Sequence, residues 1–415
     1  MSDIIGYTCT TCHKVYRELP EGLTCPECDT SGILDVIYDY TKIKRKFNKK
    51  KLKKNNLSSI WRYLPLLPVE KKHTKHMLNV GMTPLYVGEK IAEDTNTKKI
   101  YIKDDGVNPT GSLKDRASVI AVVKAIELGY DTIACASTGN AASSLAGNAA
   151  KAGLKSVIFV PKRAPVGKLT QLLAYGATVV RVDGDYKEAF TMSKQAIQTH
   201  GWYNRNAAIN PYLVEGKKTV ALEIAEQLNF RMPDWIVVSV GDGCTIGGVY
   251  KALSDLERLE MIDKVPKLLG VQSEGCQPFV QAFENDRPLK EADENTVADS
   301  IAVGIPRNPI KAMNAIKKTN GHFIAVSDEK IMQAMKILGN KEGIFAEPAA
   351  AATVAGFIKA RNKNTITSDD TVVLINTGNG LKDTPHALEA LGEPPFIKPN
   401  INALNTYLNE KGAIQ

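Results

Sequence analysis

From about Gly81 the chain switches repeatedly between short β-rich runs and longer amphipathic stretches, and this alternation limits the fold more than any other feature. The runs are TIACAS (132–137), SVIFVP (156–161), TVVRVD (178–183), WIVVSVG (235–241), LLGVQSE (268–274) and TVVLINTG (371–378). Strand and helix alternating in this way predict an α/β protein, with parallel sheets covered by helices on both faces. The strands outnumber what one sheet of usual size needs, and 415 residues exceed one ordinary core. Two α/β units are therefore expected, with ligands at the carboxyl ends of the strands. No internal repeat is visible.

Charge and cysteine usage narrow the class. The net charge of +8 is concentrated in KIKRKFNKKKLKK (42–54); without the nine basic residues of that run, 44 lysines and arginines face 45 acidic residues. Basicity thus belongs to one segment that reads as a solvated helix face, and no nucleic-acid role is expected. No stretch has the form of a secretory signal and no run of about 18 apolar residues occurs, so a cytoplasmic protein without membrane contact is expected. Four of the seven cysteines form two Cys-x-x-Cys pairs, Cys9/Cys12 and Cys25/Cys28, in YTCTTCHKVY and LTCPECDTSG. Two such turns twelve residues apart match a zinc ribbon, with one structural ion held by four thiolates and no open position for catalysis. A ribbon that has the turns and carries no metal is the alternative. SSIWRYLPLLP follows, with Pro65 and Pro68 breaking the chain before the main body.

Four segments stand where such sheets place their binding loops. NPTGSLKDRAS (108–118) is a Pro and Gly-bearing loop feeding a helix, with Lys114 at the helix start. A lysine there is more often solvated, yet the macrodipole disfavours its charge and lowers its pKa, which an amine nucleophile needs. In ASTGNAASSLAG (136–147) a strand ends in Ser137, Thr138, Gly139 and Asn140, a turn able to present amides and hydroxyls to an anion, or simply a helix cap. SVGDGCTIGGVY (239–250) is a Gly-rich turn suited to cradling a phosphate, with neither a Walker lysine nor the dinucleotide spacing. INTGNGLKD (375–383) brings the Thr377 hydroxyl to a strand end.

Together these segments resemble fold type II pyridoxal-phosphate enzymes, and among them the threonine synthases. The resemblance spans roughly residues 55–395 and also takes in SSIWRYLPLLP, MTPLY (82–86), NPYLVEGKKT (210–219), GVQSEG (270–275) and GIFAEPAAAATVAG (343–356), in the family's order. It implies pyridoxal phosphate carried as a Schiff base on Lys114, with Asn140 at the phenolic oxygen. It further implies Gly241, Asp242, Gly243, Cys244 and Thr245 around the cofactor phosphate, and Thr377 at the pyridine nitrogen. The substrate side would be Ser137, Thr138, Gly139 and Asn140, with Arg307 as a second grip. A hydroxyl at the pyridine nitrogen makes the ring a weaker electron sink than a carboxylate does, which suits elimination or replacement on a small amino acid. The implied layout has a ribbon-like segment (1–40), a basic linker and arm (41–75), a large domain (76–125 with 210–395), a small domain (126–209) and a tail (396–415). A homodimer is expected.

Two departures stand out. Asp242 replaces the amide usual in the family, and its carboxylate is expected to turn away from the phosphate or to accept a hydrogen bond within the loop. The family's grip on the substrate phosphate resembles Asn-Ser-x-Asn-Pro-x-Arg, whereas here Ala207, Ala208 and Leu213 stand at the polar positions. Leu cannot imitate an arginine–phosphate contact. Either Arg307, Lys217 or Lys218 supplies a relocated clamp, or the substrate lacks a phosphate and the enzyme is a serine or threonine dehydratase in chemistry. A degenerate relative that binds the cofactor without turnover is the reading from another class, and intact Lys114, Asn140 and Thr377 speak against it.

Overall fold

The computed structural model describes residues 3–28, 31–162 and 166–411, with the side chains of 166–168 excepted. A six-stranded sheet runs in the order His322–Val326, Lys267–Ser273, Trp235–Ser239, Thr371–Asn376, Lys99–Asp104, Leu85–Val87, parallel except for the last strand. A four-stranded parallel sheet has the order Thr178–Val182, Lys155–Pro161, Thr132–Ala136, Tyr203–Asn204. All six runs read from the sequence are strands here.

Both sheets are apolar on both faces because helices cover both sides. In the large sheet Ile236, Val238, Val373 and Ile375 face one core, while Trp235, Val237, Val372 and Leu374 face the other. In the small sheet Ile133, Cys135 and Ile158 pack one way, and Ala134, Ala136 and Val157 the other. Helix Lys114–Glu127 lies between the units and is buried along most of its length. Its Val119, Ile120 and Val123 belong to the core of the large sheet, and its Ala117, Ala121 and Val122 to that of the small one.

The N-terminal segment forms an antiparallel three-stranded ribbon, Val15–Tyr16, Ile4–Cys9 and Leu34–Tyr38. Its Tyr7, Val36 and Tyr38 continue the core of the large sheet. The basic run forms two short helices, Tyr40–Lys46 and Lys49–Lys53, which bury Ile43 and Leu52 and turn most of their lysines outward. Residues Ile60–Leu66 make a 3-10 turn that buries Ile60, Tyr63 and Leu66. Among the described residues, no helix is long and apolar enough to cross a membrane.

Candidate active site

The carboxyl ends of both sheets open into one cavity of about 990 Å³. The small sheet contributes the turn after strand Thr132–Ala136, with Ser137, Thr138, Gly139 and Asn140. From the large sheet come the turn Gly241, Asp242, Gly243, Cys244 and Thr245 after strand Trp235–Ser239, and Thr377 after strand Thr371–Asn376. Lys114 and Arg307 complete the set, so the site residues expected from the sequence share one cavity.

Lys114 is the first residue of its helix, and the loop before it is fixed from two sides. Asp115 accepts hydrogen bonds from the Thr110 amide (2.8 Å) and hydroxyl (2.7 Å). Leu113 N donates to Thr377 O (2.9 Å) and Asn379 N to Gly111 O (3.0 Å), tying the loop to the end of the central strand. Two residues past Lys114, the buried Arg116 guanidinium is held by Asp105 and Glu223. No hydrogen bond or ion pair ties the Lys114 amine among the described residues. Burial first, and the neighbouring Lys217 ammonium second, push its pKa down to about 8. An unpaired, partly neutral amine inside a cavity is suited to bond with an aldehyde.

The glycine loop has little room for side chains. Gly243 has φ +83°, and a Cβ there would come within 2.8 Å of the Asn308 carbonyl and the Ala312 methyl. At Gly241 it would lie 3.0 Å from Ile301 Cα. The fifteen-residue helix Cys244–Arg258 starts here and directs its free first-turn amides at the cavity. Asp242 behaves as its charge requires: its Oδ1 accepts from the Arg307 amide (3.3 Å), and its carbonyl accepts from Asn308 N (2.9 Å). An amine without a partner, a close-fitting cradle on a helix N-terminus and a neutral hydroxyl at Thr377 together fit an aldehyde cofactor bearing a phosphate.

Other residues enter the site that were not singled out in the sequence. Glu347, buried before helix Pro348–Asn362, accepts from Asn140 Nδ2 through both carboxylate oxygens, at 2.8 and 2.9 Å. A Glu-Pro pair reads in sequence only as a helix start. Arg205 lines the cavity and is buried, and its guanidinium donates to Ser118 Oγ (3.0 and 3.2 Å). Of the lysines considered for a phosphate clamp, Lys217 lines the cavity. Lys218 does not face it: its ammonium is bonded to Glu215 and Asp255 (2.7 Å to the latter) and lies over the Tyr38 ring.

The four ribbon cysteines converge, each sulfur within 4.8 Å of the others, with 3.7 Å between Cys12 and Cys25. Tetrahedral zinc with bonds of about 2.3 Å needs sulfur separations of roughly 3.8 Å, so the donor set fits the ion. The ribbon is nevertheless close to the chemistry. Ile33, next to strand Leu34–Tyr38, is buried against Ala207, Ala208 and Cys244. The alanines that replace the expected polar pair are thus the seat of a ribbon side chain.

Residues 76–378 match the family model of pyridoxal-phosphate dependent enzymes. The threonine synthase of Methanocaldococcus jannaschii is 40% identical over 407 residues, covering 97% of this chain and 99% of that protein. That of Methanosarcina acetivorans is 41% identical over 399 residues, covering 95% and 96%. That of Synechocystis is 37% identical over 346 residues, 82% of this chain and 87% of that one. Among solved structures, diaminopropionate ammonia lyase of Escherichia coli superposes with a TM-score of 0.65 at 20% identity, covering 84% of this chain and 95% of that one. Serine racemase of Dictyostelium discoideum gives 0.62 at 23%, covering 80% and 98%. These two establish the fold alone. With the family model covering most of the chain and full-length relatives near 40% identity, the chain belongs to the threonine synthases, within the fold type II pyridoxal-phosphate-dependent enzymes.

Proposed function

We propose that this protein converts O-phosphohomoserine and water to threonine and inorganic phosphate. Full-length similarity to threonine synthases carries the reading, together with an unpaired amine at the mouth of a glycine cradle. Lys114 carries the cofactor, Gly241 to Thr245 hold its phosphate, Asn140 lies at its phenolic oxygen and Thr377 faces its ring nitrogen. Once bound, the cofactor supplies an electron sink for the carbanion formed beside the amino group. The protein's own residues do the rest. Lys114 Nζ, with its lowered proton affinity, takes the proton from Cα and returns one later in turnover. The Ser137 to Asn140 turn binds the α-carboxylate through amides and hydroxyls, Arg307 adds a second cationic contact from the cavity lining, and Glu347 orients the Asn140 amide.

A second reading is favoured by one observation, the apolar Ala207, Ala208 and Leu213, and takes serine or threonine to a keto acid by β-elimination. One assay separates the two. Threonine and phosphate appearing in equal amounts from O-phosphohomoserine supports the first reading. Keto acid from serine or threonine, with no phosphate released from the ester, supports the second. We also propose a structural zinc on Cys9, Cys12, Cys25 and Cys28. A homodimer is proposed as well, with Leu388, Leu391, Phe396 and Ile401 left exposed near the C-terminus as contact candidates; sedimentation equilibrium tests the pairing.

A further inference from the structure

The active-site cavity has a buried cationic corner beside the glycine loop. Lys217 is 4% exposed and Arg205 2% exposed, and both line the cavity. Among the described residues neither has a carboxylate partner: Lys217 has no hydrogen bond or ion pair, and Arg205 donates only to the Ser118 hydroxyl. Among the described residues, every other lysine or arginine of comparable burial has a carboxylate partner. Lys103, Arg116 and Lys218 are each paired with carboxylates, and Lys311 with Asp35. Two uncompensated cations taken out of water are costly unless an anion joins them. Burial pushes the pKa of both groups down, and the Arg205 charge lowers that of Lys217 further. A dianion between them would reverse that strain.

The place suits a substrate phosphate. Lys217 sits one helical turn past Leu213, the position where the family's arginine is expected, and within electrostatic reach of the Lys114 amine. Ala208 is buried against Ile33 of the ribbon, and Ala207, which packs on the same cluster, presents only a methyl to the cavity, so neither position offers a polar group to a ligand. In O-phosphohomoserine the phosphate hangs on Cγ, two carbons beyond the Cα at which Lys114 works, so its site must lie deep in the same cavity and near that lysine. Resting on the proposed reaction, we propose that Lys217 and Arg205 form the substrate-phosphate site of this chain, replacing the grip that Ala207, Ala208 and Leu213 cannot provide. The cofactor phosphate stays on the glycine loop.

The test uses holoenzyme of the wild type, Lys217→Gln, Lys217→Arg and Arg205→Gln. It reads KM for O-phosphohomoserine, the inhibition constant of inorganic phosphate and the absorbance of bound cofactor. Loss of one charge-assisted contact is worth tenfold or more. Lys217→Gln and Arg205→Gln are therefore expected to raise both constants at least tenfold, with kcat changed far less and cofactor content unchanged, while Lys217→Arg stays within about threefold. Unchanged constants in both glutamine variants would overturn the inference. So would a loss of bound cofactor in Lys217→Gln at constant melting temperature, because the pair would then be gripping the cofactor. Should the wild type release no phosphate from O-phosphohomoserine, the proposed reaction falls, and the corner is read on its own. Inorganic phosphate must still raise the melting temperature of wild-type holoenzyme and not that of Lys217→Gln, and failure there overturns the inference itself.

Discussion

Lys114 and Lys217 make a measurable pair. Because burial and the Lys217 charge hold the Lys114 amine near 8, more of it is neutral at physiological pH than of an ordinary lysine. In cofactor-free protein, labelling of Lys114 by an amine-reactive reagent is expected to rise with pH and level off above about 8. Lys217→Gln removes a like charge, so the midpoint should move upward; a midpoint that stays put or falls would contradict the coupling. A second buried group sets acid stability. Burial pushes the Glu223 carboxyl up, but Arg116 and Lys103 outweigh it and hold the pKa at about 2, below the usual 4.5. A depressed carboxylate contributes stability at pH above its unfolded value, and that contribution fades as pH falls from about 4.5 towards 2. The shift corresponds to roughly 3 kcal/mol. Glu223→Gln is expected to lose about 3 kcal/mol at pH 7 and to flatten the acid limb of a urea-denaturation series between pH 5 and 3. These residues mark the limit of sequence reading. Lys114 and Asn140 open helices and Thr377 ends a strand, at turns a sequence displays, whereas Lys103, Arg116 and Glu223 read as surface charges until the fold buries them together.

The same limit appears in the secondary-structure elements. Strand Trp235–Ser239 is apolar throughout and announces itself, but Lys99–Asp104, which pairs with strand Thr371–Asn376 inside the sheet, carries Lys103 and Asp104 in its buried half. Lys103 pairs with Glu223 and Asp104 accepts from the Asn376 amide, both far away in sequence, so no local pattern identifies it. Arg205 was hidden for a related reason, since it follows a two-residue strand too short to read. The ribbon is the clearest case. Its cysteine spacing predicts a closed metal site remote from the chemistry, whereas two routes connect it to the glycine loop. Thr10 N donates to Ile33 O (2.9 Å) and Cys25 N to Gly32 O (2.8 Å), which places the ligand turns directly behind Ile33 and hence behind Cys244. Lys311 donates to Leu34 O (2.8 Å), and its neighbour Asn308 holds the Asp242 carbonyl. One zinc per chain is expected in reduced, freshly purified protein. Removing it with a chelator should lower the melting temperature and weaken cofactor retention together, because thiolate ligation fixes the turns that seat Ile33. Ile33→Ala should weaken retention severalfold with the zinc still bound. Metal-free protein that keeps its cofactor as tightly as before would break the connection.

Across the whole molecule the cavity lies between two sheets, and a cation–π contact at its rim bridges them. Helix Tyr186–His200 packs on the small sheet, and its Phe190 ring lies 3.9 Å from the Arg307 guanidinium, with Tyr186 at 5.4 Å. Arg307 itself belongs to the loop before helix Pro309–Lys318, and its amide is bonded to Asp242 in the glycine turn. A guanidinium stacked on two rings is held in place more than a solvated one, so Arg307, which lines the cavity, also fastens the small unit to the large. Substitution tests the fastening. Phe190→Leu keeps the apolar packing and the arginine charge but removes the π face, a loss of about 1 kcal/mol for a partly desolvated cation–π pair. That corresponds to roughly a fivefold change in an equilibrium constant. With the small unit less firmly fastened, KM should rise about fivefold for O-phosphohomoserine and for an unphosphorylated analogue alike, while kcat stays within twofold. Arg307→Ala loses the whole stack, so its KM rise should exceed that of Phe190→Leu for both substrates. If Phe190→Leu leaves both KM values unchanged, the stack fastens nothing.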